Sequence, residues 1–307
     1  MHQPQHIRTC MKIVKQLCPL VTLTCTVLVI AITIYINEKV SPVFVFLCMQ
    51  VYLNWYSVYS ISSKSSPMRM REMQSDLCSV VTTTHHHHHH QQQQQRKQFE
   101  QQPADGGAQP PPPPPAHNTA YKFWHCERCR SYMCKPTQHC AYCRKCFHFM
   151  DHHCFFLGAC VLRQNMGNFI LFCFYTSLTC LYSLCVLGPY MYENINHIVR
   201  SDADYFNIFL NFCFPIALAR LLHSRDSSSI LLVTVFDTLM SILCICLVLG
   251  IWKLHSCLTG KQRYVNMTGR QNLREIFGSY GLSNIIFPYN GLIGTRDING
   301  KYELKEV

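Results

Sequence analysis

The chain alternates long apolar runs with polar segments, and four of the runs are long enough to cross a bilayer, which takes about 20 residues of helix. We predict transmembrane helices at Leu17–Ile36, Val40–Ile61, Asn168–Tyr192 and Ser229–Trp252. Only three residues separate the first two runs, so these two are predicted to form a tight helical hairpin.

The second run is the least apolar of the four, because it contains Pro42, Gln50 and Asn54. We expect its polar side chains to face neighbouring helices, where hydrogen-bonding partners are available. A fifth stretch, Tyr205–Leu222, is apolar but interrupted by polar residues. It is predicted to lie at the membrane interface or to re-enter the membrane, with a fifth span as the alternative.

The composition and the distribution of charge support a membrane protein. Only 14% of the residues are charged, whereas a soluble domain usually carries about 25%. Of the 27 Lys and Arg residues, 23 lie in segments 1–16, 62–167 and 253–307, and four lie in the other connections. Because Lys and Arg concentrate on the cytosolic side of membrane helices, we predict that these three segments are cytosolic.

Residues 82–118 have low complexity and contain six consecutive His, five consecutive Gln and six consecutive Pro. A segment of this composition buries too little apolar surface to fold, so we predict a disordered linker. A His tract can bind metal, but this one has no neighbouring groups that would fix a specific site.

Eight of the 20 cysteines crowd between Cys126 and Cys160, interleaved with histidines. This pattern is typical of metal binding in a reducing compartment. Zinc takes four Cys or His ligands, often from pairs two residues apart, and Cys126/Cys129 and Cys140/Cys143 are such pairs. The segment offers more ligands than one zinc ion can use and enough for two, so we predict structural zinc.

The order of these residues resembles the DHHC protein S-acyltransferases, or palmitoyltransferases. The match includes the signature tetrad Asp151-His152-His153-Cys154, with Asn165 and Phe169 behind it. The residues that resemble the family's C-terminal motif are Asn272, Phe277-Gly278 and Pro288. The resemblance implies an all-α integral membrane protein with four transmembrane helices and a cytosolic cysteine-rich two-zinc domain between spans 2 and 3.

The resemblance also implies the division of the chain. The segments are a cytosolic N-terminus (1–16), a transmembrane hairpin (17–61), a cytosolic linker (62–121), the zinc domain (122–167), spans 3 and 4 with a lumenal connection (168–252) and a cytosolic tail (253–307). Family analogy suggests the endoplasmic reticulum or the Golgi.

The family's zinc ligands can be carried over position by position. One zinc ion would take Cys126, Cys129, His139 and Cys146. The other would take Cys140, Cys143, His153 and Cys160. Cys154 is left without a metal, and so is Cys134, which is interpreted as a structural thiol.

In this family Cys154 would be the nucleophile. Thioester exchange needs a thiolate, which an adjacent imidazole can generate if a carboxylate orients it. Asp151, His152 and Cys154 supply these three groups. The implied reaction moves palmitoyl or a similar long acyl chain from acyl-coenzyme A to Cys154, and then to cysteines of membrane-associated proteins on the cytosolic side of the bilayer.

The chain departs from the family pattern at several positions. Phe155-Phe156 replace the usual Pro-Trp, Ala159 and Leu162 replace Asn and Gly, and the usual motifs near Ser65-Ser66-Pro67 and near Asn266 are absent. These changes indicate a divergent member. The alternative is a catalytically weak or inactive membrane adaptor that keeps the zinc module for protein binding. Nucleic-acid binding fits the positive charge, but it is excluded by the position of the module between membrane spans.

Overall fold

The computed structural model describes residues 5–65, 123–134, 136–193, 219, 227–262, 270–277 and 283–288. The predictions for the low-complexity segment and for the end of the tail lie outside these residues, as do those for the stretch 205–222 apart from residue 219. The chain divides into two compact units, Met1–Lys64 with Asp151–Val307, and Ser65–Met150.

The first unit is mostly helical. Its long helices are α1 (Gln5–Asn37), α2 (Pro42–Lys64), α3 (Met166–Glu193) and α4 (Ser227–Thr259), and its short helices are α5 (Leu273–Phe277) and α6 (Ser283–Ile286). Three stretches in the described part of the chain are long and apolar enough to cross a membrane: Leu17–Asn37, Arg163–Glu193 and Leu231–Thr259. Helix α2 has a suitable length of 23 residues but is not among them.

The polar residues of α2 face other parts of the protein, as predicted. The side chains of Gln50 and Asn54 are buried. The Asn168 amide of α3 donates to Asn54 Oδ1 at 3.4 Å, and the Gln50 amide donates to the carbonyl of Ile286 at 2.5 Å. The low hydropathy of α2 therefore reflects polar contacts inside the protein.

Helix α3 lies at the centre of the first unit and packs against α1, α2, α4 and α5. The core around its first turns contains Val58, Leu157, Val161, Met166, Phe169, Ile170, Cys257 and Ile276. Half-buried Cys154 packs against the same cluster. The tetrad cysteine thus lies against a rigid helical core.

Helix α4 extends beyond its predicted end at Trp252 and stops at Thr259. Between Trp252 and Gly260 the sequence has no Gly or Pro, and Gly260 adopts φ +72°. The Lys261 amide donates to the Ser256 carbonyl and the Gly260 amide donates to that of Cys257, so the helix ends in a Schellman motif. Lys253, predicted at the start of the tail, is therefore on the last turns of α4.

Short strands occur where an all-α fold was expected, so that expectation holds only for the helices. Among the described residues, six strands form three two-stranded sheets: β1 (Phe123–Cys126) with β2 (Ser131–Cys134), β3 (Thr137–Cys140) with β4 (Lys145–His148), and β5 (Met150–Cys154) with β6 (Ala159–Leu162). In each of the first two hairpins, the first cysteine of a ligand pair is the last strand residue before the turn. Cys126 lies opposite Ser131 in the first hairpin, and Cys140 lies opposite Lys145 in the second.

Candidate active site and zinc ligands

The first predicted set of zinc ligands converges within the second unit. Its four residues offer ligand atoms that all lie within 4.8 Å of one another. His139 Nδ1 is 3.5 Å from Cys126 Sγ, 3.3 Å from Cys129 Sγ and 3.6 Å from Cys146 Sγ. Hairpin turns deliver the first two cysteines, while His139 and Cys146 face each other across β3 and β4.

These separations fit a zinc ion. With Zn–S of about 2.3 Å and Zn–N of about 2.0–2.1 Å, a tetrahedron places its S and N ligands about 3.5 Å apart and its sulfurs about 3.8 Å apart. The Cys129 and Cys146 sulfurs are 3.6 Å apart. Burial lowers the pKa of His139, which favours the neutral imidazole that binds metal. Burial and neighbouring thiols raise the pKa of Cys146. A cation bound in the cluster would offset this rise by stabilising the thiolate.

Two residues of the second predicted set belong to each unit. In the second unit, the Cys143 amide donates to Cys140 Sγ at 3.4 Å, which fixes this pair on its turn. In the first unit, Cys160 Sγ is 3.5 Å from His153 Nδ1, the separation expected for two ligands of one zinc ion. Cys134, the remaining cysteine of this segment, lies on β2.

Asp151 and His152 form a hydrogen-bonded pair on β5. His152 Nδ1 lies 2.7 Å from Asp151 Oδ2, and the ring of Phe169 makes an edge contact with the imidazole at 5.4 Å between centroids. With Nδ1 bound to the carboxylate, Nε2 is the nitrogen available to a thiol. Phe169, noted in the sequence only as a position that matches the family, restricts the rotation of the imidazole through this ring contact.

The electrostatics of the pair favour a protonated imidazole. Burial lowers the pKa of His152, but hydrogen bonds to Asp151 and Cys154 raise it to about 9. Burial would raise the pKa of Asp151, but hydrogen bonds from His152 and Lys253 keep it below its ordinary value. A proton taken from a thiol is therefore held well by His152, which shares strand β5 with Asp151 and Cys154.

Lys253 is a residue of this site that the sequence reasoning missed. Its Nζ lies 2.5 Å from Asp151 Oδ2, and its side chain is 12% exposed. A signal was present in the sequence, since Lys253 directly follows the last apolar run and Asp151 is a carboxylate that needs a counter-charge if it is buried. The sequence could not show that α4 continues far enough to bring the two together.

A pocket of about 480 Å³ opens beside Asp151 and Lys253. Asp151 and His152 line one part of it, and Lys253, Lys261 and Trp252 of the α4 end line another. The pocket lining thus combines apolar surface with two lysine ammonium groups.

The loop after Cys154 differs from the family pattern but is well packed. The ring of Phe155 contacts that of His153 edge-on at 5.2 Å between centroids, while Phe156 is 67% exposed. Ala159 and Leu162 are both buried on β6. These substitutions therefore leave the loop folded against the helical core.

The side chain of Asn165, a residue of the family motif, connects β6 to α2. Its side-chain oxygen accepts the amide of Leu162 at 2.7 Å, and its side-chain nitrogen lies 3.1 Å from the carbonyls of Cys160 and Val58. The side chain thereby ties the strand of a predicted zinc ligand to α2.

In the tail, the Asn272 carbonyl accepts the amides of Glu275 and Ile276 at the start of α5, and Phe277 and Pro288 are buried.

Comparisons with known proteins agree with this arrangement. The sequence model of the DHHC palmitoyltransferase family matches residues 120–275. Palmitoyltransferase ZDHHC22 of Mus musculus is 32% identical over 174 residues, which cover 50% of this chain and 61% of that protein. The Homo sapiens protein of that name is 31% identical over 173 residues, which cover 50% of this chain and 60% of the relative.

A plant relative shows a shorter match. Probable protein S-acyltransferase 12 of Arabidopsis thaliana is 31% identical over 101 residues, which cover 31% of this chain and 35% of the relative. The chain thus spans about three fifths of the length of the mouse and human relatives and about a third of the plant one.

The two sets of Cys and His residues are the features that a DHHC domain uses to bind zinc, and both sets could do so in this chain. The family match covers half of the chain, including both sets, the tetrad and α3. Together with the apolar helices, these findings describe an integral membrane protein, and the chain belongs to the DHHC palmitoyltransferase family.

Proposed function

We propose that this chain is a protein-cysteine S-acyltransferase that moves palmitoyl or a similar acyl chain from acyl-coenzyme A to protein thiols through an acyl-Cys154 intermediate. The observation that carries the proposal is the arrangement on β5, where His152 Nδ1 lies 2.7 Å from the Asp151 carboxylate and Cys154, two positions further along, lies on the same face of the strand as His152. An adaptor that only binds proteins has no use for this arrangement.

In the first step His152 takes the proton of the Cys154 thiol, and the sulfur attacks the carbonyl carbon of the acyl thioester. The new carbon–sulfur bond forms as the carbon–sulfur bond to coenzyme A breaks, and the departing coenzyme A thiolate takes up the proton held by His152. In the second step His152 takes the proton of a substrate thiol, whose sulfur attacks the acyl-Cys154 carbonyl. Cys154 leaves as the thiolate and recovers that proton, so His152 serves as base and acid in turn.

The pocket beside His152 supports binding of the acyl-coenzyme A thioester. Lys261 supplies positive charge for an anionic coenzyme, and Met166, Leu249 and Trp252 supply apolar surface next to the reacting carbonyl. The acyl chain itself would lie among the membrane helices. Coenzyme A would remain on the cytosolic side.

We further propose four spans, with α2 as the second, and a cytosolic location for the zinc domain and both termini. The buried amides of α2 account for its low hydropathy without removing it from the membrane. The concentration of Lys and Arg in the three flanking segments supports the orientation. Analogy with the family favours a location in the endoplasmic reticulum or the Golgi. The substrates would be membrane-associated proteins with cytosolic cysteines.

The test uses the purified full chain with clickable palmitoyl-coenzyme A. We expect a covalent label that hydroxylamine removes, release of coenzyme A, and transfer of the label to an added cysteine peptide. Cys154→Ser should abolish the label while zinc content stays unchanged, because Cys154 is not among the proposed ligands. Cys185→Ser, on the exposed side of α3, is the matched control. Equal labelling of wild type and Cys154→Ser would favour the adaptor alternative.

A further inference from the structure

Lys253 stands apart from the motif residues, since it lies about a hundred positions after the tetrad and nothing in the zinc module predicts it. Its ammonium nevertheless makes the shortest polar contact of the site, 2.5 Å to Asp151 Oδ2. The same carboxylate oxygen contacts His152 Nδ1 at 2.7 Å. One oxygen therefore bridges the imidazole and the ammonium.

Both members of the ion pair are shielded from water. The exposed fractions of the side chains are 12% for Lys253 and 7% for Asp151. A buried charge is retained only when it is paired, and a surface pair of this kind would contribute little to positioning. The Lys253 ammonium also lies 4.7 Å from the centroid of the Trp252 ring, which limits its range of positions.

The fold fixes the lysine from the side of α4. The Schellman motif at Gly260 ends the helix two turns beyond Lys253, and Cys257 on the next turn belongs to the core around the first turns of α3. The Lys253 side chain therefore approaches Asp151 from a packed helix and not from a loop.

We propose that Lys253 is a positioning residue of the acyl-transfer site: it holds the Asp151 carboxylate in the orientation that directs His152 toward Cys154. The lysine touches neither the imidazole nor the thiol in this scheme, so its effect passes through Asp151. The inference rests on the proposed acyltransferase function, and it assigns to α4 a part of the site that the tetrad alone does not contain.

The test measures single-turnover acylation of the full chain at several concentrations of palmitoyl-coenzyme A. Lys253→Met should lower the maximal rate about 10- to 100-fold, the cost of a slightly misplaced catalytic group. The half-saturating concentration and the zinc content should stay within twofold of wild type. Lys64→Met removes an exposed lysine at the end of α2 and should leave both parameters unchanged.

A double variant distinguishes positioning through Asp151 from other roles and replaces the single variant if that fails to fold. Removing both partners of a buried ion pair is better tolerated than removing one. Asp151→Asn with Lys253→Met should acylate at the same rate as Asp151→Asn alone, within threefold, because the lysine no longer has a carboxylate to hold.

Several results would overturn the inference while leaving the acyltransferase function intact. They are a Lys253→Met variant as fast as wild type, a raised half-saturating concentration at an unchanged maximal rate, loss of zinc in that variant, or a double variant ten times slower than Asp151→Asn. A wild-type protein that is never acylated would instead contradict the proposed function.

Discussion

At the scale of single residues, two adjacent histidines have different surroundings. His152 contacts the Asp151 carboxylate and the edge of Phe169, whereas His153 contacts Cys160 and the ring of Phe155. On a β-strand, successive side chains point to opposite faces. The backbone of β5 thereby separates a residue of the proposed catalytic group from a proposed zinc ligand.

Replacing each histidine should therefore give a different phenotype. His152→Ala should keep the full zinc content but lower the rate of acylation about 10²–10⁴-fold, the usual contribution of a positioned general base. His153→Ala should lose one zinc ion and destabilise the domain. Elemental analysis and thermal unfolding of the two variants check this. Equal zinc loss in both would contradict the assignment of roles within the tetrad.

Residue identities at the site could be predicted from sequence because the motif fixes them by spacing. The tetrad, the ligand pairs and Asn165 are all local in the chain, and the ligand atoms of the first predicted set converge in the structure. Lys253 could not be predicted, because its contact with Asp151 joins positions 102 residues apart. Spacing carries no information about such a contact unless the end of α4 is known.

At the scale of elements, α5 packs its backbone directly on α3. An added Cβ at Gly167 would lie 2.2 Å from the carbonyl oxygen of Ile276, so only glycine permits this approach. The tail is held further by Tyr175, whose hydroxyl donates to the Ile285 carbonyl at 2.6 Å, and by Gln50. Side chains of α2 and α3 thus satisfy backbone carbonyls at the end of α6, which the helix itself leaves unpaired.

Gly167→Ala should displace α5 and destabilise the first unit by about 1–3 kcal/mol, the usual cost of overpacking. Gly188→Ala on the same helix meets no atom within 4 Å and should leave stability equal or slightly higher. Thermal unfolding of the purified chain in one detergent compares the two. An unchanged Tm for Gly167→Ala would mean that α5 does not dock as described.

Hydropathy predicted the helical elements well and the short strands not at all. All four long helices occur where apolar runs were expected, but strands β1–β6 are only four or five residues long and show no long alternation of apolar and polar residues. Their hairpins follow from the Cys pairs at the turns, where Arg130 and Arg144 adopt φ of 49° and 55°. We expect metal ligation to stabilise these hairpins, because metal binding and folding are coupled in small metal-bound domains.

At the scale of the whole molecule, zinc should be part of the fold of the cysteine-rich domain. We expect two zinc ions per chain. Cys129→Ser should lose zinc and cause misfolding, because metal binding and folding are coupled in small metal-bound domains. Cys185→Ser is the control. Elemental analysis that finds one zinc ion or none in well-folded wild-type protein would contradict the two-site assignment.

The proposed topology makes a separate prediction for α2. If this helix spans the membrane, a glycosylation acceptor inserted at Asn37–Lys39 reaches the lumen and is modified, whereas one inserted in the linker 62–121 is not. If α2 does not span, the α1–α2 connection and the linker lie on the same side of the membrane, so the two insertions should be modified alike. Gel mobility with and without a deglycosylating enzyme distinguishes the two outcomes.

The central claim is that one cysteine among 20 carries the acyl group. The most direct measurement is peptide mapping by mass spectrometry of the full chain, trapped after brief reaction with palmitoyl-coenzyme A and without an acceptor thiol. The account predicts a thioester-linked acyl group on the peptide containing Cys154, absent after hydroxylamine. Acylation spread over other cysteines with Cys154 unmodified would contradict it.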